Sequence, residues 1–236
     1  MAGQLYLGTS GFAYEEWKGV FYPSAMKSVD YLSFYSERFP SVEINYTFRR
    51  HPAETTLSRW AGQTPEGFRF VLKAHQRITH TKRLRDADEP VSMFLDRAKL
   101  LGERLGPILF QLPPTFHYDR AALEGFLGYL PPMYRYAFEF RHPSWAEARD
   151  VLASQGAAWV VAETDEQAAA EMSWEPFGYL RLRKEEYTEE ELQAWARKIS
   201  SAMAGGSDAY VFLKHEEKGA GPKFAERLSE LIGQAG

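Results

Sequence analysis

Short apolar runs alternate along this chain with longer stretches whose apolar residues recur at helical spacing. Gln4–Gly8 is the first such run, and Gly8-Thr9-Ser10-Gly11 closes it, which predicts a strand entering a loop. Further strands are predicted over Ser41–Asn45, Phe68–Lys73, Pro107–Leu112, Arg135–Phe140, Ala157–Ala162, Phe177–Leu182 and Ala209–Lys214. Pro113-Pro114 stops the fourth, and the unbroken apolar sixth suits a parallel strand covered on both faces. Helices are predicted over Val29–Arg38, Pro52–Ala61, Val91–Leu105, Asp119–Leu127, Trp145–Ser154, Thr188–Met203 and Pro222–Ile232, with a weak one over Glu166–Glu171. Asp119 is placed to cap its helix, and Thr188 followed by Glu191 has capping-box form.

That inventory is eight strands alternating with eight helices and no linker between them. It predicts an α/β fold, a single (β/α)8 TIM barrel over residues 1–236, close to the typical size of about 250 residues. A doubly wound open sheet is the alternative, but it needs fewer alternations, and no G-x-G-x-x-G follows the first strand.

The stretch Arg135–Trp145 shows what the strands carry. Phe138 and Phe140 share one face, while Ala137, Glu139 and Arg141 share the other. Unlike charges at the end of a strand whose other face is aromatic read as a site. The same rule repeats at other strand ends, with Glu43 and Asn45, Lys73 and His75, Gln111, Glu163 and Asp165, Arg181 and Arg183, and Lys214 and His215. In a barrel these ends form one mouth, where active sites lie. Strands also turn polar simply on leaving the core, so it is the recurrence on the inward parity that argues for a site.

Cations outnumber carboxylates in this set, although the whole chain has a formal net charge of −4. An acidic protein that gathers Lys73, Arg141, Arg181, Arg183 and Lys214 at one mouth is expected to bind a small anion there. Glu43–Lys73 and Glu139–Arg141 pairing would instead neutralise the mouth. Glu139 and Glu43 are candidate acid/base groups, with Lys73 beside them to stabilise negative charge. Asn45, Gln111, Arg141, His142, Arg181 and Lys214 are candidate ligand-binding residues. Tyr14, Trp17 and Trp145 offer an aromatic rim, or else core packing. The two glutamates also fit a glycosidase pair, whose separation sequence does not give.

Other chemistries find less in the sequence. The histidines lack a strong ligand spacing such as H-E-x-x-H, so no metal site is predicted. No cofactor is implied. The chain has no cysteine, which excludes disulfides and thiolate nucleophiles. No apolar run approaches the roughly 20 residues of a membrane span, and no signal-peptide pattern opens the chain, so a cytoplasmic protein without a membrane partner is expected. The net charge gives no indication of nucleic acid, although a local basic patch would still allow it. Oligomeric state is not legible. A metal-assisted phosphoesterase or nuclease-like hydrolase and a non-catalytic binding barrel stand as alternatives to an enzyme acting on a small anion.

Five motifs carry a family resemblance. They are Gly8-Thr9-Ser10-Gly11-Phe12 with Tyr14, Trp17, Gly19 and Phe21-Tyr22-Pro23; Glu43-Ile44-Asn45 with Thr47-Phe48 and Arg50; Phe70 and Lys73 with Ile78-Thr79-His80; Leu105-Gly106-Pro107 with Gln111-Leu112-Pro113-Pro114; and Glu139-Phe140-Arg141-His142 with Ser144-Trp145. Together they resemble the YecE-like family, domain of unknown function 72, along nearly the whole chain. The resemblance implies a TIM barrel and no particular reaction. Two departures stand out: the family's Arg-x-His-Gly run reads Arg181-Leu182-Arg183 here, and its Asn pair after the eighth strand reads Lys214-His215.

Overall fold

The structure, a computed structural model, describes residues 2–214 and 219–234. Eight strands form one parallel sheet: β1 (Leu5–Thr9), β2 (Ser41–Ile44), β3 (Arg69–Lys73), β4 (Leu105–Gln111), β5 (Tyr136–Glu139), β6 (Ala158–Glu163), β7 (Gly178–Leu182) and β8 (Ala209–Leu213). Their order, β1-β8-β7-β6-β5-β4-β3-β2, is that of a (β/α)8 barrel. Among the described residues the α-helices around it are α1 (Tyr31–Ser36), α2 (Glu54–Gln63), α3 (Asp88–Ala98), α4 (Arg120–Tyr129), α5 (Arg149–Ser154), α6 (Glu189–Ala204) and α7 (Ala220–Gln234). None is long and apolar enough to cross a membrane.

The barrel is nearly closed. Among the described residues β1 and β2 are joined by a single bridge, from Ser10 to Glu43. Below it the Tyr35 hydroxyl fills the seam. It accepts from the Thr9 N–H at 2.7 Å and donates to the Ser41 carbonyl at 3.1 Å. Such close approach requires Gly8, because a Cβ there would lie 2.0 Å from the Ser41 oxygen.

Side-chain parity sorts the core into two layers. Tyr6, Val71, Leu109, Ala137, Val160, Tyr179, Tyr210 and Phe212 fill the barrel interior. Tyr6 stacks on Tyr210 at 4.5 Å, and Tyr179 leans on Phe212 at 5.5 Å, so aromatic rings climb the interior toward the mouth. The opposite faces pack under the helices, where Phe138 stacks on Phe110 at 5.1 Å and Phe140 on Trp145 at 4.5 Å.

Most predicted elements are present. Asp119 caps α4 by accepting from the Ala122 N–H at 2.9 Å, and Thr188 with Glu191 forms the capping box of α6. Four helices differ. The first begins as a 3-10 turn, Ser28–Asp30, before α1. The third ends at Ala98 and continues as 3-10 turns to Arg104, because Gly102 takes a φ of 55°. The fifth begins as a 3-10 segment, Pro143–Ala148, before α5. The weak helix over Glu166–Glu171 does not form. A stretch of this length does not nucleate a helix in water unaided, and its three alanines offer little area to bury.

Candidate functional site at the barrel mouth

Glu43, Glu139 and Arg181 come from β2, β5 and β7, each on the inward parity and each at the upper end of its strand. All three are buried, at 0%, 1% and 2% exposure. One guanidinium bridges both carboxylates: Arg181 Nη1 donates to Glu139 Oε2 at 2.6 Å, and Nη2 donates to Glu43 Oε1 at 2.7 Å. Glu43 also accepts from the Tyr179 hydroxyl at 2.7 Å, the Ser10 hydroxyl at 2.9 Å and Asn45 Nδ2 at 2.9 Å. Arg141 reaches in from the rim, its Nε 2.5 Å from Glu139 Oε1. That contact is an ion pair out of hydrogen-bonding alignment, so Glu139 Oε1 and Arg181 Nε are buried with no hydrogen bond among the described residues.

This arrangement fixes the charge states. Burial alone pushes the Glu43 carboxyl up, but Arg181 and the Tyr179 hydroxyl outweigh it and hold the group at about 2. Glu139 moves the same way: burial opposes ionisation, and the charges of Arg181 and Arg141 overcome it. Both glutamates are therefore ionised at neutral pH. They can accept a proton, but hold none to donate. The acid half of a glycosidase pair needs a raised pKa, and neither carboxyl has one.

The cations beside this triad are less well matched. Lys73, at the end of β3, has no carboxylate contact among the described residues. Its Nζ donates to Gln111 Oε1 at 2.8 Å and lies 4.4 Å from the centre of the Phe48 ring. Burial, followed by the charge of Arg181, lowers its pKa to about 8. Arg183, two residues beyond Arg181, is half-buried within range of the charges of Arg181, Glu43, Glu139 and Arg141. Among the described residues its guanidinium has no hydrogen-bond or ion-pair partner. Among the described residues Lys73, Arg141, Arg181 and Arg183 thus face two carboxylates. Tyr14 stands close to this group: its hydroxyl donates to the Ser10 carbonyl at 2.8 Å, and burial, then the charge of Glu43, raises its pKa to about 12.

The structure therefore brings together Glu43, Glu139, Lys73, Asn45, Gln111, Arg141, Arg181 and Tyr14. It places the other candidates elsewhere. Trp145, expected at an aromatic rim, is 0% exposed in the outer core, where its indole N–H donates to the Phe116 carbonyl at 2.6 Å. Trp17 is also 0% exposed, packed with Phe21 and Tyr22. The His142 ring packs at a tilt against His117, 3.8 Å between centroids, with its Nδ1 accepting from the Ser144 N–H. Lys214 borders a separate cleft of about 560 Å³ shared with Lys184, Tyr187 and Phe224. Glu163 takes the outward parity and accepts from the Trp195 indole at 3.1 Å, and His75 turns away to stack on His51 at 4.6 Å. His215 lies outside the described residues. Arg183, counted in the sequence among the cations of the mouth, belongs to the cluster, and so do Ser10 and Tyr179, which were not among the candidate site residues. Their spacing of two from Gly8 and Arg181 was the available signal. Among the described residues no three His, Asp or Glu stand together as metal ligands would.

Residues 6–236 match the family model described as protein of unknown function DUF72. The UPF0759 protein YecE of Escherichia coli K12 is 33% identical over 142 residues, 60% of this chain and 50% of that one. The match thus spans about half the length of YecE. The UPF0759 protein YunF of Bacillus subtilis is 24% identical over 97% of this chain and 94% of its own. A crystal structure of a DUF72 family protein from Thermotoga maritima superposes with a TM-score of 0.83 at 28% identity, covering 98% of this chain and 99% of that one.

Proposed function

The chain belongs to the DUF72 family, and we propose that its barrel mouth is the active site of an enzyme acting on a small anionic or phosphorylated substrate. One observation carries this reading: Arg183 and Lys73 are half-buried cations without a carboxylate partner among the described residues. Partly desolvated cations are costly to keep, and an incoming anion repays that cost with charge-assisted hydrogen bonds.

Each residue then has a role. Arg181 is the frame, holding Glu43 and Glu139 in place as carboxylates. Arg183 and Arg141 take the anionic group, and guanidinium geometry suits the paired oxygens of a phosphate or carboxylate. Asn45 and Gln111 orient the substrate from the ends of β2 and β4. Lys73 can give and take a proton near neutral pH, as an acid/base group must. Glu139, two strands away on β5, is the acceptor.

A thermal-shift panel of phosphate, sugar phosphates, nucleotides, carboxylic acids and divalent metals tests the proposal. A ligand at 100 times its Kd adds about 2.7 kcal/mol of stability. One anion class is expected to shift the wild type and to shift Arg183→Met clearly less. No response to any anion would defeat the reading. A shift by metals alone would favour a metal-assisted hydrolase. Saturable binding with no turnover would make the mouth a binding site.

A further inference from the structure

We propose that Lys73 is a nucleophile, its amine condensing with the carbonyl group of a small anionic aldehyde or ketone to form an imine at the barrel mouth. This inference rests on the anion-binding reading of the mouth and names the substrate class within it.

The geometry isolates this amine. The carboxylates within range of Lys73, Glu43 on β2 and Glu139 on β5, are both engaged by Arg181. The group that actually contacts Nζ is the neutral Gln111 amide, 2.8 Å away. Arg181 from β7 and Arg141 from the rim add positive charge near Lys73. His80, on the π-type turn Arg77–Thr81 that follows β3, packs against the same Phe48 ring at 4.8 Å. The face of Phe48 favours the ammonium form, but it also keeps water from the amine. A lysine that is desolvated and set beside other cations is the kind that reacts as a free amine. Its depressed pKa of about 8 agrees with this environment.

The step balances without a further reagent. Neutral Nζ attacks the carbonyl carbon; a C–N bond forms as the C=O π bond opens, and one nitrogen proton passes through water to the oxygen. The carbinolamine then breaks its C–O bond, and the hydroxyl leaves with the second nitrogen proton as water, giving a C=N bond to Lys73. Arg183 and Arg141 hold the anionic end meanwhile. Protonated, the imine draws electrons from the adjacent carbon. Glu139 is ionised, and its Oε1, paired in charge with Arg141 at 2.5 Å but making no hydrogen bond among the described residues, accepts the proton that this carbon releases.

Reductive trapping tests the inference. The wild type is incubated with pyruvate, glyoxylate or glyceraldehyde 3-phosphate and sodium cyanoborohydride, and the adduct is mapped by peptide mass spectrometry. Neutral glyceraldehyde is the control. A single adduct on Lys73 is expected with at least one anionic carbonyl compound. Its formation should be half-maximal near pH 8, whereas an unperturbed lysine titrates above about 10. Arg183→Met should slow anionic trapping by about tenfold or more, the worth of one charge-assisted hydrogen bond, and should slow glyceraldehyde trapping far less. Lys73→Met should abolish the mapped adduct while melting at or above the wild-type temperature. Adducts scattered over surface lysines, or none at all, would overturn the nucleophile. If phosphate still raises the melting temperature in that case, the anion site stands without it. If phosphate has no effect either, both readings fall.

Discussion

At the N-terminal end of the barrel, Arg135 donates to Asp208 at 2.6 Å, and Arg69 lies 5.8 Å from the centre of the Tyr6 ring. Both arginines border an open cleft of about 420 Å³. At the C-terminal end, Arg181 is spent on two buried carboxylates, and Arg183 and Lys73 are left over. The two ends draw on the same residue types. They differ in solvent and in matching. An arginine at the lower end is half in water and loses little if its partner goes. A cation at the upper end is partly desolvated, so an unmatched charge there is a strain on the fold that a ligand can relieve. Mismatch in a desolvated place marks function more clearly than charge alone does.

Breaking the upper frame should have the largest effect. Arg181→Met leaves two buried carboxylates uncompensated and should cost about 3–5 kcal/mol in urea unfolding. Arg135→Met, which breaks an exposed pair, should cost at most about 1 kcal/mol. Equal losses at the two ends would erase the distinction.

The acid limb of stability sharpens the comparison next. Glu43 is held at about 2 in the folded protein against an ordinary 4.5. A depressed carboxyl stabilises the fold above its unfolded pKa, and that contribution fades as pH falls through the folded value. Wild-type stability should therefore drop between about pH 4.5 and 2, with Glu139 adding in the same direction. Arg181→Met should lose much of this slope, because its glutamates titrate higher. Urea midpoints measured from pH 6 downward would show it.

The smaller effects lie on the cationic side. Lys73 is lowered from 10.5 to about 8, so the unfolded chain binds more protons than the folded one over that range. Stability contributed by this group rises with pH between those values, and at neutral pH its charge is a cost. Lys73→Met should then raise the melting temperature by about 2–4 °C, roughly 1 kcal/mol in a chain of this size. A fall instead would mean that the Gln111 contact outweighs desolvation. Glu139→Gln should tighten phosphate binding in calorimetry, because it removes one competing carboxylate from the mouth. Weaker binding would show that Glu139 orders the guanidinium groups rather than occupying them.

The barrel was legible because its strands are short, apolar and regularly spaced, and because parity separates Glu139 from Phe138 and Phe140 without any structure. The partners were not legible. Arg181 meets Glu43 across 138 residues and Glu139 across 42, and nothing local says that one guanidinium takes both. Sequence pairing of Glu43 with Lys73 was chemically reasonable, but β7 supplies a better-placed cation. Trp17 and Trp145 looked like rim residues because they follow glycine-rich or polar strand ends. Their loops fold back, and large rings are worth more buried among other rings than exposed at a mouth. Glu163 was misread for a simpler reason: it stands one residue past Ala162, and a shift of one reverses the face.

The most direct test of the central claim is calorimetric titration of phosphate into the wild type, Arg183→Met and Arg135→Met at one low salt concentration. One site is expected in the wild type, retained in Arg135→Met and weakened by about tenfold or more in Arg183→Met. Equal affinity in the wild type and Arg183→Met, or loss only in Arg135→Met, would contradict it and move anion binding away from the mouth.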